Sequence, residues 1–230
     1  MSVTSPPYAF VTLVTTDGYL PGSLVVAAAL RDLHPSPPQS PDEIDPSKFH
    51  VVCLVTPETV NVQTLKLLRR AFDVVIGVEI LKEDTEDALA LLGTANCEDS
   101  AGCVLIMSMI FLQGRPDLWN VLTKLHVFRL RTYSKIIYLD ADVLPLLPLS
   151  HLFSLESRFA AVPDVGWPDI FNSGVLVFTP EEDDFKEIMK LVVSEGSWDG
   201  GDQGVLNEWR GKDWERISFT YNTTPTAAYT

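Results

Sequence analysis

The stretch Lys135-Ile136-Ile137-Tyr138-Leu139-Asp140-Ala141-Asp142 decides the fold. Its first five residues are an apolar, partly β-branched run that reads as a buried strand. The run ends in two carboxylates separated by one small residue. Side chains two apart on a strand point the same way, so Asp140 and Asp142 are expected to project together. Open α/β sheets bind their ligands at the carboxyl ends of strands. Paired hard oxygen donors suit Mg²⁺ or Mn²⁺, ions that commonly share their coordination with substrate phosphates. The first expectation is therefore a metal-held nucleoside diphosphate.

Strands and helices alternate upstream of this run. Ala9 to Thr15 reads as the first strand, and Tyr19-Leu20-Pro21-Gly22 opens a helix that runs to about Leu33. Residues 34–48 hold five prolines, at 35, 37, 38, 41 and 46, which predicts a stiff surface loop. A strand over His50 to Val55, a helix over Pro57 to Ala71 and a strand over Asp73 to Val78 follow. This alternation predicts a mostly parallel sheet flanked by helices, with right-handed crossovers, in one domain over 1–230. Residues 81–114 break the rhythm and read as an insertion within that domain, or as a mistranslated gene segment. Downstream, a helix is expected over Asn120 to Leu130, strands over Phe159 to Val162 and Val175 to Thr179, and helices over Glu181 to Ser194 and Asp202 to Trp209.

With 230 residues, 46 % of them hydrophobic and 21 % charged, the chain can bury a full core. Its formal net charge of −14, without a basic stripe, argues against nucleic acid as a partner. It favours a divalent cation instead, because a diphosphate needs local neutralisation in an acidic protein. No targeting segment is visible, and the apolar run Cys103 to Leu112 is far short of the ~20 residues of a membrane span. Cys53, Cys97 and Cys103 lack metal-ligand spacing, so reduced thiols in a cytoplasmic protein are expected. The sequon Asn222-Thr223-Thr224 reads as chance without a secretory signal.

Two further motifs place small polar side chains beside glycines, which let a ligand approach the backbone. They are Phe171-Asn172-Ser173-Gly174-Val175 and Asp199-Gly200-Gly201-Asp202-Gln203-Gly204. Plain structural alternatives stay open for each. Asn172-Ser173-Gly174 can be a turn, Asp202 a helix N-cap, and Asp140-Ala141-Asp142 an exposed strand-end turn.

Taken in order, these motifs resemble the glycogenin group of the retaining family-eight glycosyltransferases. The resemblance also rests on residues 9–13, Arg115-Pro116, Leu122-Thr123-Lys124-Leu125-His126 and the run Ala161 to Pro168. It implies a GT-A fold and a metal-dependent enzyme that moves glucose from UDP-glucose to its own tyrosine and then extends an α-1,4-glucan primer. It implies nucleotide contacts at Leu13, Thr15, Thr16, Tyr19, Arg115, Asp140, Ala141 and Asp142, with the Tyr19 ring stacking on uracil. Asp140 and Asp142 fall on the metal ligands for Mn²⁺ or Mg²⁺. Asn172, Ser173, Asp199, Asp202 and Gln203 fall on the glucose pocket, and Asp202, Lys124, Gln203 and Asp199 form the implied catalytic set. Lys124 depends on the resemblance, since a lone helical lysine usually faces solvent. Tyr229 falls on the self-glucosylated tyrosine. A homodimer, the growing glucan and glycogen synthase are the implied partners.

Two departures stand out. Thr16 occupies a position where the group has Asn. The group also continues to a His that completes the metal shell and to a Gly and a Lys that grip the diphosphate, whereas no His follows His151 here, so a truncated chain is expected. The rival readings are a galactinol-synthase-like transferase with a soluble acceptor and a non-catalytic nucleotide- or partner-binding remnant. A third reading, a nucleotidyltransferase of similar topology, is opposed by the lack of an evident Gly-rich phosphate loop opening the first helix of this sequence. The residues leave open whether Asp202 acts as a nucleophile or whether the departing phosphate takes the acceptor proton on the same face.

Overall fold

The computed structural model describes residues 6–81 and 122–224. Arg115, Tyr229, Cys97, Cys103 and nearly all of the 81–114 segment lie outside the described residues.

The amino-terminal half follows the expected alternation. It runs β1 (Tyr8–Val14), α1 (Leu20–Leu33), β2 (Phe49–Val55), α2 (Val62–Ala71) and β3 (Val74–Gly77). Pro57 to Val60 does not join α2. That helix starts one turn later because the Asn61 side chain caps it, accepting from Thr64 N at 2.9 Å. The carboxyl-terminal half supplies β4 (Lys135–Leu139), β5 (Phe159–Pro163), β6 (Phe171–Phe178), α3 (Asp184–Ser194), α4 (Asp202–Arg210) and a two-residue β7 (Glu215–Arg216).

The sheet order is β3-β2-β1-β4-β6-β5-β7. The strands β3, β2, β1 and β4 pair in parallel, as expected. Beyond them β6 runs antiparallel to both β4 and β5, so the sheet is mixed. The turn reading of Asn172-Ser173-Gly174 fails, because these residues lie inside β6. There Ala161 pairs with Leu176 and its neighbour Val162 pairs with Asn172. Ser173, Gly174 and Val175 therefore bulge away from β5 and toward β4, a device that re-aims side chains beside a site.

Both faces of the central strands are covered, as continuous apolar strands require. Ile136 and Tyr138 of β4 pack on one side with Phe185, Ile188 and Met189 of α3 and Val205 and Leu206 of α4. Ile137 and Leu139 pack on the other with Val26, Ala27 and Leu30 of α1 and Leu68 of α2. The expected helix over 120–130 is mainly a 3-10 helix, Thr123–Arg129, whose first six residues are all buried. Among the described residues no helix is long and apolar enough to cross a membrane. Cys53 is buried and free, and burial pushes its thiol up to about 12.

Candidate active-site cleft

Strand β4 stops at Leu139, so Asp140 and Asp142 do not share a strand face as the alternation predicted. They sit in the turn that follows, where Val143 N donates to Asp140 O at 3.0 Å. The turn still aims both at one cleft of about 550 Å³, lined by Leu13, Thr15, Thr16, Gly18, Tyr19, Lys124, Tyr138, Asp140, Ala141, Asp142 and Asp202. Nine of the residues singled out in the sequence therefore meet in one place. Gly18 and Tyr138 were not among them.

One wall is the segment after β1. The Thr15 carbonyl accepts from the Thr56 and Thr59 hydroxyls at 3.1 and 2.6 Å, and the Asp17 carboxylate receives Asn61 N and Asn61 Nδ2 at 3.0 and 2.8 Å. These ties fasten the wall to the start of α2. They leave the Tyr19 ring 49 % exposed at the cleft, free to stack on a flat ligand.

The floor is built around Lys124, which contradicts the ordinary expectation for a lone lysine: its side chain is only 4 % exposed. The ammonium meets Asp202 Oδ2 at 2.8 Å, off the usual hydrogen-bonding directions, and Asp140 Oδ1 at 3.1 Å. It donates to the Ser173 carbonyl at 2.7 Å, reaches Ser173 Oγ at 3.3 Å, and lies 4.7 Å from the Tyr138 ring centroid. Burial by itself would favour neutral Lys124, but the Asp140 and Asp202 charges outweigh it and raise the lysine above its ordinary value. Asp140 is raised too, by burial and by Asp202, against the opposing pull of Lys124 and the Tyr138 hydroxyl. Burial, then the Asp140 and Asp202 charges, hold the Tyr138 phenol well above its ordinary range, so it is a neutral donor. Its hydroxyl donates to Asp140 Oδ1 at 2.9 Å.

The N-cap reading of Asp202 also fails. Gly201 is the N-cap, and Asp202 is the first residue of α4, with its carboxylate turned to Lys124. Asp199 tends the helix start instead. Its Oδ1 accepts from Ser197 Oγ, Gly201 N and Gly204 N at 2.6, 2.8 and 3.0 Å. Gln203 Oε1 accepts from Ser173 N at 3.2 Å, while its amide donates to Asp164 Oδ2 at 3.3 Å. Asn172 Oδ1 accepts from Gly174 N and from Asn222 Nδ2 at 2.9 and 2.7 Å. Ser173 and Gln203 thus join β6 to α4 beside the cleft, Asp199 braces the start of α4, and Asn172 ties β6 to Asn222; none of the four is part of the cleft lining. Asn207 completes that join by exchanging two 2.9 Å hydrogen bonds with the Phe171 backbone, as a neighbouring strand would. Its only signal in the sequence is an Asn inside an otherwise amphipathic helix.

The lining sets three carboxylates against one ammonium. That surplus of hard, negatively charged oxygen fits a divalent cation at Asp140 and Asp142. Among the described residues no group of three or more His, Cys, Asp or Glu side chains is placed to hold a metal alone, so other ligands would have to complete the shell.

Residues 10–230 match the sequence profile of glycosyl transferase family 8. The chain is 46 % identical to a glycogenin of Cryptococcus neoformans var. grubii, over 98 % of this chain and 24 % of that protein. It is 35 % identical to glycogenin-1 of Homo sapiens, over 96 % of this chain and 55 % of that one. The chain thus spans about a quarter to just over half the length of these relatives. Among solved structures, the apo WbbM bifunctional glycosyltransferase aligns with a TM-score of 0.62 at 14 % identity, covering 94 % of this chain and 40 % of that one. The apo glycosyltransferase GlyE of Streptococcus pneumoniae aligns at 0.60 and 15 % identity, covering 97 % and 48 %. At such identities these two likenesses speak for the α/β GT-A fold alone. The family profile, by contrast, begins within β1 and takes in every other strand that frames the cleft, and on that match the chain belongs to glycosyl transferase family 8.

Proposed function

We propose that the chain is a glycogenin-like, retaining glucosyltransferase that takes glucose from UDP-glucose, first onto Tyr229 and then onto the growing α-1,4-glucan. The observation that carries this reading is the buried Lys124 ammonium, which ties Asp140 to Asp202 within the cleft. One side chain therefore fixes the spacing between the carboxylate assigned to the donor diphosphate and the carboxylate assigned to the sugar.

Tyr19 would stack on the uracil, with Leu13, Thr15 and Thr16 along the nucleoside, the Ala141 backbone near the ribose, and Arg115 assisting from outside the described residues. Asp140 and Asp142 would hold Mn²⁺ or Mg²⁺, which when bound supplies charge neutralisation for the departing UDP. Asn172, Ser173, Asp199, Asp202 and Gln203 would orient the glucose, directly or by holding the β6–α4 join. Asp202 would stabilise positive charge at the anomeric carbon. The Tyr229 phenol, of ordinary pKa about 10, must lose its proton during transfer. Tyr229 follows Asn222 by seven residues, and Asn222 touches Asn172. A homodimer and glycogen synthase as a partner belong to the same proposal, as does cytoplasmic residence.

The test is intact-mass analysis of the full chain after incubation with UDP-glucose and Mn²⁺. Successive hexose increments that Tyr229→Phe abolishes are expected. Release of UDP without any gain in protein mass would point to a soluble acceptor instead. UDP binding without turnover would point to a non-catalytic remnant.

A further inference from the structure

Tyr138 belongs to the apolar core on the α3–α4 side of the sheet and is only 1 % exposed. A phenylalanine would fill that space as well. The hydroxyl differs from everything around it, because it emerges at the cleft and donates to Asp140 Oδ1 at 2.9 Å. Tyr138 is the penultimate residue of β4 and Asp140 follows the strand directly, and the 2.9 Å contact brings the two side chains together. The Lys124 ammonium already spends its contacts on the Ser173 carbonyl, Asp202 and Asp140. It therefore pulls Asp140 toward Asp202, while the phenol pulls from beneath. The ammonium reaches both Asp140 oxygens, Oδ1 at 3.1 Å and Oδ2 at 3.4 Å, while the phenol holds Oδ1 alone, so the two contacts together restrict rotation about the last bond of the carboxylate.

We propose that Tyr138 is a positioning residue for Asp140: its hydroxyl sets the rotation of the carboxylate that receives the divalent cation and the donor diphosphate. This rests on the assignment of Asp140 as a metal ligand. Hydrogen bonds that orient a ligating carboxylate commonly change metal affinity by about 10–100-fold when removed. The phenol donates its hydrogen bond to the carboxylate and so acts by orientation.

The experiment measures Mn²⁺ binding in the presence of UDP, by the loss of the free-ion electron paramagnetic resonance signal. It uses the full chain as wild type, Tyr138→Phe and Asp140→Asn, with thermal unfolding recorded for each. Tyr138→Phe is expected to weaken Mn²⁺ binding about 10-fold while leaving the unfolding midpoint close to wild type, a split that a purely packing role would not produce. If Phe leaves the chain unfolded, Tyr138→Met removes the hydroxyl with a side chain that flexes to fill the space, and the same readout applies. Wild-type affinity in Tyr138→Phe, alongside lost binding in Asp140→Asn, overturns the role of Tyr138 and leaves the metal assignment standing. Unchanged binding in Asp140→Asn, or no binding in wild type, overturns the metal assignment itself.

Discussion

A Cβ added to Gly22 would lie 2.2 Å from the carbonyl oxygen of Ala141. The first turn of α1 therefore rests directly on the backbone between Asp140 and Asp142, and only a hydrogen fits there. The obstacle is main chain, so it cannot swing aside as a long side chain would. Gly22→Ala must displace either the helix or the aspartate turn. Overpacking of this kind costs about 1–3 kcal/mol, and here the displaced atoms belong to the cleft. Chemical denaturation of Gly22→Ala is expected to show that loss, and titration with UDP and Mn²⁺ is expected to show weakened binding. A variant as stable and as tight as wild type would mean that the two backbones do not meet.

Lys124 is the only cation among the described residues that line the cleft, and it faces two carboxylates. Removing one partner of a buried ion pair leaves an uncompensated charge and typically costs about 3–5 kcal/mol. Lys124→Met is expected to fall in that range by urea denaturation, with sugar transfer lost. The double variant Lys124→Met/Asp202→Asn removes one stranded charge as well, so it is expected to regain part of the stability and none of the transfer. If the double variant is less stable than the single one, the network is not held by charge.

The sheet and most of the cleft were legible in the sequence because they obey short-range rules. Alternating strand and helix patterns mark β1 to β3, and an apolar run ending in two acids marks β4 and its turn. The misses have a common cause in tertiary packing. Asn172, Ser173 and Gly174 have poor strand propensity, and a bulge between β5 and β4 makes strand residues of them. Thr123 to Phe128 are buried on every side, which erases the amphipathic period that separates an α-helix from a 3-10 helix. Asp202 sits where an N-cap is common, but a buried ammonium draws its side chain inward and Asp199, three residues earlier, serves the helix start. Tyr138 was hidden because strands admit aromatic residues for packing alone, and only the folded arrangement brings its hydroxyl onto Asp140.

His34 ends α1 and is 4 % exposed. Its Nδ1 faces the Leu30 carbonyl at 2.7 Å and so carries the proton, leaving Nε2 to accept from Leu149 N and Ser150 N at 3.0 and 3.1 Å. Protonating Nε2 would turn two donors against a third. Burial, outweighing the Leu30 bond and the Glu43 charge, lowers the His34 pKa below its ordinary 6.5. The unfolded chain therefore binds a proton that the folded chain refuses. This contribution to stability is fully present above pH 6.5 and is lost as the pH falls from there through the depressed folded value. Unfolding free energies measured across that window are expected to fall with acidity, and His34→Gln is expected to flatten that part of the profile. An unchanged profile in the variant would assign the acid sensitivity to other groups.

Asp142 separates chemistry from stability more cleanly than Asp140 does. Asp140 holds Tyr138 and Lys124 in place, so its loss disturbs the floor of the cleft as well as any bound ion. Asp142 is exposed and still lines the same cleft. Replacing it by Asn keeps size and shape, removes one negative charge, and leaves an amide that is a poor ligand for a hard cation. Asp142→Asn is thus expected to unfold at the wild-type midpoint while glucose transfer in the presence of Mn²⁺ falls by at least about 100-fold, the lower end of the range for a lost electrostatic contact at a site of developing charge. Raising the Mn²⁺ concentration is expected to restore part of the rate, because the defect is in holding the ion. A full transfer rate in Asp142→Asn would remove the metal from this turn and with it the reason for two carboxylates at the end of β4.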